Sequence, residues 1–305
     1  MTDFTKISRS QWLELAQRLA ERLERNCAGF TASEWECVTP YLGWRARDVL
    51  AHMTSAMPVN FRQVLDRALA GNPGPPPEFD TFTRNAREVK RRRNMPVADL
   101  RREFRNEFDA LMATYRSLSD GDWLKPAWFF VGPVTVRTLF LAQLGDNVLH
   151  ERDLLLVAKR WQGLDPEYAE PLVDWFMRDL RPANFRPERA KGLQAAALYR
   201  LRGPGGGEWT LQVSENTCAV EQGAVGHLEV TIEGGTEKIL VAAQARAASI
   251  FGRLARKVDW ICGASHAEEV VAKITGYASL LSALRRDHAI GSAAVDEWRV
   301  DLRHS

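Results

Sequence analysis

The sequence predicts an α+β protein: a helical bundle followed by a sheet packed against helices. Apolar residues recur with helical period through the first half of the chain. Short alternating runs bounded by glycines, the pattern of strands, begin near Ala197. The chain has 305 residues, enough for two ordinary domains, each with its own core. The boundaries expected are roughly 1–163 for the bundle, 164–192 for a helical linker, 193–290 for the α+β domain and 291–305 for a C-terminal tail.

Trp12, Leu13, Leu15, Ala16, Leu19 and Leu23 place a first helix over roughly 8–27. A second begins near Trp44 and carries His52. Proline lacks an amide donor and clashes with the preceding turn, so Pro58 is expected to kink or interrupt that helix. The pattern resumes through Phe61, Val64, Leu65 and Leu69. Gly71-Asn72-Pro73-Gly74-Pro75-Pro76-Pro77 must then be a loop, placed over the mouth of the bundle. A third helical region covers roughly 80–118, with Pro96 suited to the first turn of its second segment. Pro133 is expected to open a fourth helix running to Arg160.

Beyond residue 163 the pattern changes. A short helix over roughly 166–180 leads through Pro182 and Pro187, read as a linker. Strands follow at Ala197–Leu201, Glu208–Val213, Thr217–Val220 and Gly226–Ile232. Gly203-Pro204-Gly205-Gly206-Gly207 is a tight connection between the first two; it lacks the Gly-Lys-Ser/Thr ending and following helix of a phosphate loop. Helices over roughly 236–254 and 265–286 and a strand at Lys257–Cys262 complete the reading.

The chemistry concentrates on helices two and four. Asp146 and His150 are four residues apart, so their side chains rise from one helical face. With His52 from a second helix they make an N2O set that holds a divalent metal and leaves a coordination position open, as a catalytic site requires. Two histidines that are merely exposed or satisfied in a core are the alternative. Along helix four, Leu139, Gln143, Asp146, His150, Asp153 and Val157 form one stripe. Gln143 and Asp153 are candidates to stand behind the ligands and orient an imidazole; for Asp153 the alternative is a solvated or ion-paired helix residue. Asp48, four residues before His52, is a possible ligand, but it suits the first helical turn, where the dipole favours a carboxylate, or a role supporting His52.

Trp35-Glu36-Cys37-Val38-Thr39-Pro40, followed by Gly43-Trp44 and Asp48-Val49-Leu50-Ala51-His52, resembles the N-terminal domain of the mycothiol-dependent maleylpyruvate isomerase family. That domain belongs to the DinB/YfiT-like superfamily of metal-binding four-helix bundles. His150-Glu151-Arg152-Asp153-Leu154 resembles the same family's fourth-helix motif. The resemblance implies one metal ligand at His52 and two at an acidic-or-His-xxx-His pair, here Asp146 and His150; the isomerase has Glu where this chain has Asp146. It also implies polar substrate contacts at Arg84 and Asn85. Gly207-Glu208-Trp209-Thr210-Leu211 and Leu228-Glu229-Val230-Thr231-Ile232 resemble the sterol-carrier-protein-2-like (SCP2-like) fold, a C-terminal domain common in this family.

The function so implied is a metal-dependent enzyme that uses a low-molecular-weight thiol, mycothiol, for S-transfer to, or isomerisation of, an electrophilic small molecule. A divalent ion, zinc, would bind the thiol sulfur, with His52, Asp146 and His150 acting in catalysis through the metal. The alternative is a non-catalytic small-molecule or lipid-binding protein with the bundle as an interaction module, since fold alone does not decide function.

Composition narrows the classes. A net charge of +2 is too close to neutral to suggest a polyanionic partner from balance alone. In the basic region Lys90-Arg91-Arg92-Arg93, with Arg84, Arg87, Arg101, Arg102 and Arg105, the interleaved Glu88, Asp99, Glu103, Glu107 and Asp109 favour a solvated helix face over a nucleic-acid patch. No stretch approaches a membrane span and no signal peptide is visible, so a cytoplasmic location is expected. Cys27, Cys37, Cys218 and Cys262 form no CxxC motif and are expected as free thiols. His227, His266, His288 and His304 have no partner at ligand spacing. Trp123, Trp128, Phe129 and Phe130 are read as packing at the bundle end, with a substrate wall as the alternative. Nothing specifies an oligomeric state.

Overall fold

The computed structural model describes residues 7–41, 44–76, 81–129, 132–183, 185, 187, 194–226, 230–241 and 299–301. The chain divides into two compact units, Met1–Gly163 and Leu164–Ser305.

The first unit is helical. Helix α1 (Arg9–Ala28) starts at Ser8, whose hydroxyl accepts from the Gln11 amide while the Gln11 side chain accepts from the Ser8 amide. This reciprocal cap satisfies two of the donors every helix start leaves free. Its apolar face, Trp12, Leu15, Ala16, Leu19, Ala20, Leu23 and Cys27, is buried. A short α2 (Ala32–Glu36) follows, then α3 (Ala46–Ala56) and α4 (Gln63–Leu69). Pro58 neither breaks the helix nor separates these two. Met57–Arg62 is a π-helical stretch that joins them, because the wider turn leaves room for the missing amide. Helices α5 (Thr81–Arg92) and α6 (Val97–Ser117) occupy the third helical region, with Pro96 at the N-cap of α6.

The fourth helix differs from the expectation at its start. After α7 (Asp120–Trp123), strands β1 (Pro126–Phe129) and β2 (Gly132–Thr135) pair antiparallel, so Pro133 lies in a strand opposite Trp128. Helix α8 (Val136–Val157) begins behind Thr135, whose hydroxyl accepts from the Thr138 amide. It is buried on nearly every face, from Val136 to Leu154, and packs against α1 and α3. A helix surrounded in this way brings polar side chains into an interior, where each needs a partner. The Trp123 ring packs on Tyr115 and Phe140.

The second unit begins with α9 (Pro166–Trp175), a π-helical stretch Phe176–Leu180 and α10 (Arg181–Ala183), which run without a break. The helix expected over roughly 166–180 is present and runs on to Ala183, and Tyr168, Ala169, Leu172, Val173 and Trp175 are buried. Strands β3 (Ala195–Arg202), β4 (Gly207–Val213), β5 (Cys218–Gln222), β6 (Val230–Gly235) and β7 (Arg299–Asp301) form one sheet in the order β5-β4-β3-β6-β7. β3 and β6 are parallel and the other neighbours antiparallel. Helix α11 (Thr236–Val241) follows β6. β7 falls in the stretch expected as a tail. In the β3–β4 connection Gly205 has φ +69°, and a Cβ there would lie 2.8 Å from the Glu170 backbone, so this turn requires glycine. The strand expected at 257–262, the helix at 265–286 and His227, His266, His288, His304 and Cys262 lie outside the described residues, as does most of the 236–254 helix.

Candidate metal centre

The loop before α3 is folded tightly. The Thr39 amide donates to the Trp44 carbonyl at 2.7 Å and the Ala46 amide to the Cys37 carbonyl at 2.9 Å. Asp48, at the third position of α3, accepts from the Arg45 amide at 3.2 Å and from its guanidinium at 2.9 and 3.1 Å. Asp48 is thus engaged by Arg45, while the three-residue ligand cluster is His52, Asp146 and His150. Asp48 caps the helix and holds Arg45, as the helix dipole favours. Arg45 and Arg47 also grip Glu36, and those hydrogen bonds, Arg47's first, hold its carboxyl below the usual range.

From that base, α3 carries His52 inward, 3 % exposed, and α8 carries Asp146 and the fully buried His150. One ligand atom from each lies within 4.8 Å of the others. Asp146 Oδ2 is 4.0 Å from His52 Nε2, and Asp146 Oδ1 is 3.4 Å from His150 Nε2. The Asp146 side chain is 22 % exposed, the most open of the three. On the far edge of the His150 ring, Nδ1 lies 3.3 Å from Asp153 Oδ2, and Asp153 Oδ1 is 3.3 Å from Arg152. A carboxylate there holds the Nδ1 proton and turns Nε2, with its lone pair, toward Asp146 and His52. Two imidazoles, one of them backed by a second carboxylate, and the Asp146 carboxylate fit a divalent ion.

Aromatic rings enclose the imidazoles. Tyr41 meets His150 edge-on at 4.7 Å between centroids and lies 5.9 Å from His52; Trp44 lies 5.5 Å from His52. Tyr41 was not singled out by the sequence reading, and its only signal is its place three residues before Trp44 in the resembling motif.

The remaining candidates have other partners. Gln143 is fully buried on α8, but its amide nitrogen meets Met57 Sδ at 3.6 Å, and its carbonyl oxygen has no hydrogen-bond partner among the described residues. The expectation that it orients a ligand imidazole gains no recorded contact. Arg84 donates to Asn60 Oδ1 at 2.7 Å, and the Asn60 amide donates to Asn85 Oδ1 at 3.1 Å. Arg84 and Asn85 therefore share one buried network, through an asparagine the sequence reading missed. Asn60 stands two turns beyond His52 along the continuous α3–π helix, which is the spacing that could have found it.

Glu151, beside His150, is also buried and was missed. Its carboxylate takes both Arg22 Nε and Nη2, at 2.9 and 2.7 Å, and Asn26 at 3.0 Å, pinning α8 to α1. The basic residues of α5 and α6 have acidic partners: Arg91 and Arg92 with Glu88, Arg92 with Glu103, Arg102 with Asp99, Arg105 with Asp109. Burial works to raise the Glu88 carboxyl, but its hydrogen bonds from Arg92 and Arg91 outweigh that and hold it below its ordinary value.

Residues 16–155 match the family described as the mycothiol maleylpyruvate isomerase N-terminal domain. Among solved structures, a crystal structure of mycothiol-dependent maleylpyruvate isomerase superposes with a TM-score of 0.55 at 16 % identity, covering 81 % of this chain and 92 % of that one. A histidine-to-alanine mutant of that enzyme superposes with a TM-score of 0.54 at the same identity and coverage. YfiT from Bacillus subtilis, described as a probable metal-dependent hydrolase with an unusual four-helix bundle topology, gives 0.43 at 15 % identity, over 51 % of this chain and 90 % of that one. Curated proteins give no match.

Proposed function

We infer, from the match of residues 16–155 to the mycothiol maleylpyruvate isomerase N-terminal domain, that this chain is a thiol-dependent metalloenzyme acting on an electrophilic small molecule. The observation that carries the reading is the convergence of His52, Asp146 and His150 donors within 4.8 Å, with Asp153 behind His150. We assign the three as protein ligands of a divalent ion, zinc by the chemistry of the N2O set. A metal bound there would supply thiolate at neutral pH by lowering the pKa of a coordinating thiol.

The chain's own residues do the rest. Asp153 keeps the His150 Nδ1 proton in place and so keeps Nε2 available as a donor. Tyr41 and Trp44 cover the imidazole rings and keep water from them. Asp146, the most open of the three, marks the side from which a thiol enters. Arg84, oriented by Asn60 and backed by Asn85, binds a carboxylate of thiol or acceptor through its guanidinium fork. Hydrolysis would ask for a general base beside a bound water, whereas thiol chemistry needs none once the proton is gone. Of the acids flanking the ligands, Asp153 is taken up by His150 and Glu151 by Arg22. Mycothiol is the thiol we propose, and S-transfer and isomerisation share these residue roles. We also assign the sheet of the second unit to an SCP2-like domain, and the domain limits proposed are those expected from the sequence except that this domain takes in β7.

The test is turnover of maleylpyruvate, and of other electrophilic acceptors, by the metal-loaded protein with and without mycothiol. Thiol-dependent consumption is expected. Equal rates in both conditions, with hydrolysed product, would overturn the proposal.

A further inference from the structure

The second unit holds a buried cation, Arg181, that pairs with no carboxylate among the described residues. Arg181 opens α10, is nine-tenths buried, and lies over the rings of Phe176 and Tyr199, 4.5 and 5.4 Å from their centroids. Arg178, three residues earlier, shows how such a position is usually settled. It stacks over Trp209 at 5.2 Å and pairs with Asp174 Oδ1 at 2.8 Å, one helical turn before it. One turn before Arg181 stands Met177. Among the described residues no acid pairs with Arg181, and its Nε has no hydrogen-bond partner. Aromatic faces offset part of the desolvation of a guanidinium, but a buried charge ordinarily also has a counter-charge.

A second polar group at the same place is also unsatisfied. The Tyr199 hydroxyl belongs to a fully buried side chain and has no hydrogen-bond partner among the described residues. Cys218 shares its face of the sheet. Cys218 pairs with Val213 and Val213 with Ala195, and Tyr199 lies an even number of residues from Ala195 along β3. Burial pushes the Cys218 thiol up to about 11 against the pull of Arg181, so the thiol stays neutral and puts no negative charge beside the guanidinium.

We propose that Arg181 and Tyr199 form a binding site for a small monocarboxylate built from residues of the C-terminal unit. The guanidinium offers two parallel donors that match a carboxylate, and the Tyr199 hydroxyl supplies a third. One positive charge in a desolvated setting balances a monoanion. A phosphate dianion would be left with unmatched charge.

The experiment is calorimetric titration of the metal-free, full-length protein with sodium benzoate and, separately, inorganic phosphate at constant ionic strength. Saturable benzoate binding is expected, weakened about ten-fold or more in Arg181→Gln and about three-fold or more in Tyr199→Phe, because charge-assisted bonds are lost. Benzoate binding that Arg84→Ala removes and Arg181→Gln leaves intact would belong to the bundle and overturn the proposal. Absence of saturable benzoate binding, unchanged affinity in Arg181→Gln, or binding of phosphate but not benzoate would overturn the proposal. If Arg181→Gln fails to fold, unchanged affinity in Tyr199→Phe overturns it instead.

Discussion

Asp153 Oδ2 lies 3.3 Å from Nδ1 of His150, on the opposite edge of the ring from Asp146. The two carboxylates thus divide one imidazole between them. Asp153 is 1 % exposed and stands where it would orient the ring, whereas Asp146 lies 4.0 Å from His52. Asp153→Asn keeps the volume and removes the charge. Its expected effect is a loss of metal affinity of roughly 10–100-fold, the usual cost of altering a group behind a ligand. Competition with a chelator measures it, and unchanged affinity would remove Asp153 from that role.

His150→Ala should abolish metal retention while leaving the helical circular dichroism signal intact. The bundle core rests on many apolar side chains around α8, so one interior imidazole matters more to the site than to the fold. Asp146→Ala should weaken affinity, and Asp146→Glu should retain it, since a longer carboxylate reaches the same centre. Metal content by atomic absorption checks all three variants.

How much of this was legible in the sequence depends on how far apart the partners stand. Asp146 and His150 share a helical face because four residues make about one turn, and His52 joins them within the resembling motif. The same spacing also offered Asp48, four residues from His52, but the helix dipole favoured it in the first turn, where Arg45 and its amide claim it. Pro133 read as a helix start because proline suits that position; the short β1–β2 hairpin, with Pro126 and Gly132, carries too little alternation to announce itself. Arg22 and Glu151 are 129 residues apart, and nothing local in either segment points to the other.

That pair gives a stability prediction. Glu151 is 1 % exposed and Arg22 30 %, so the guanidinium keeps part of its hydration. Arg22→Met should destabilise the folded chain by about 2–3 kcal/mol, below the full cost of breaking a wholly buried pair because of that exposure. Urea unfolding measures it. A loss under about 0.5 kcal/mol would mean that the pair does not hold α1 to α8.

Cys27 supplies a pH prediction. Burial in the α1 face pushes its thiol up to about 12. The folded state therefore keeps the proton to higher pH than the unfolded chain does. The associated stability is full below the ordinary thiol value of 9.0 and is lost as pH rises from there toward about 12. At pH 8 native Cys27 should resist iodoacetamide, whereas exposed Cys37 should react. Peptide mass spectrometry separates the two; equal labelling of native Cys27 and Cys37 would contradict its burial.

The most direct measurement is metal stoichiometry with K-edge X-ray absorption on protein purified without a histidine tag, for the wild type and His150→Ala side by side. One equivalent of zinc is expected in the wild type, with nitrogen and oxygen neighbours at about 2.0–2.1 Å, and essentially none in the variant. A wild-type protein that takes up no divalent metal, or a His150→Ala protein that retains it with an unchanged edge, would contradict the assignment of His52, Asp146 and His150.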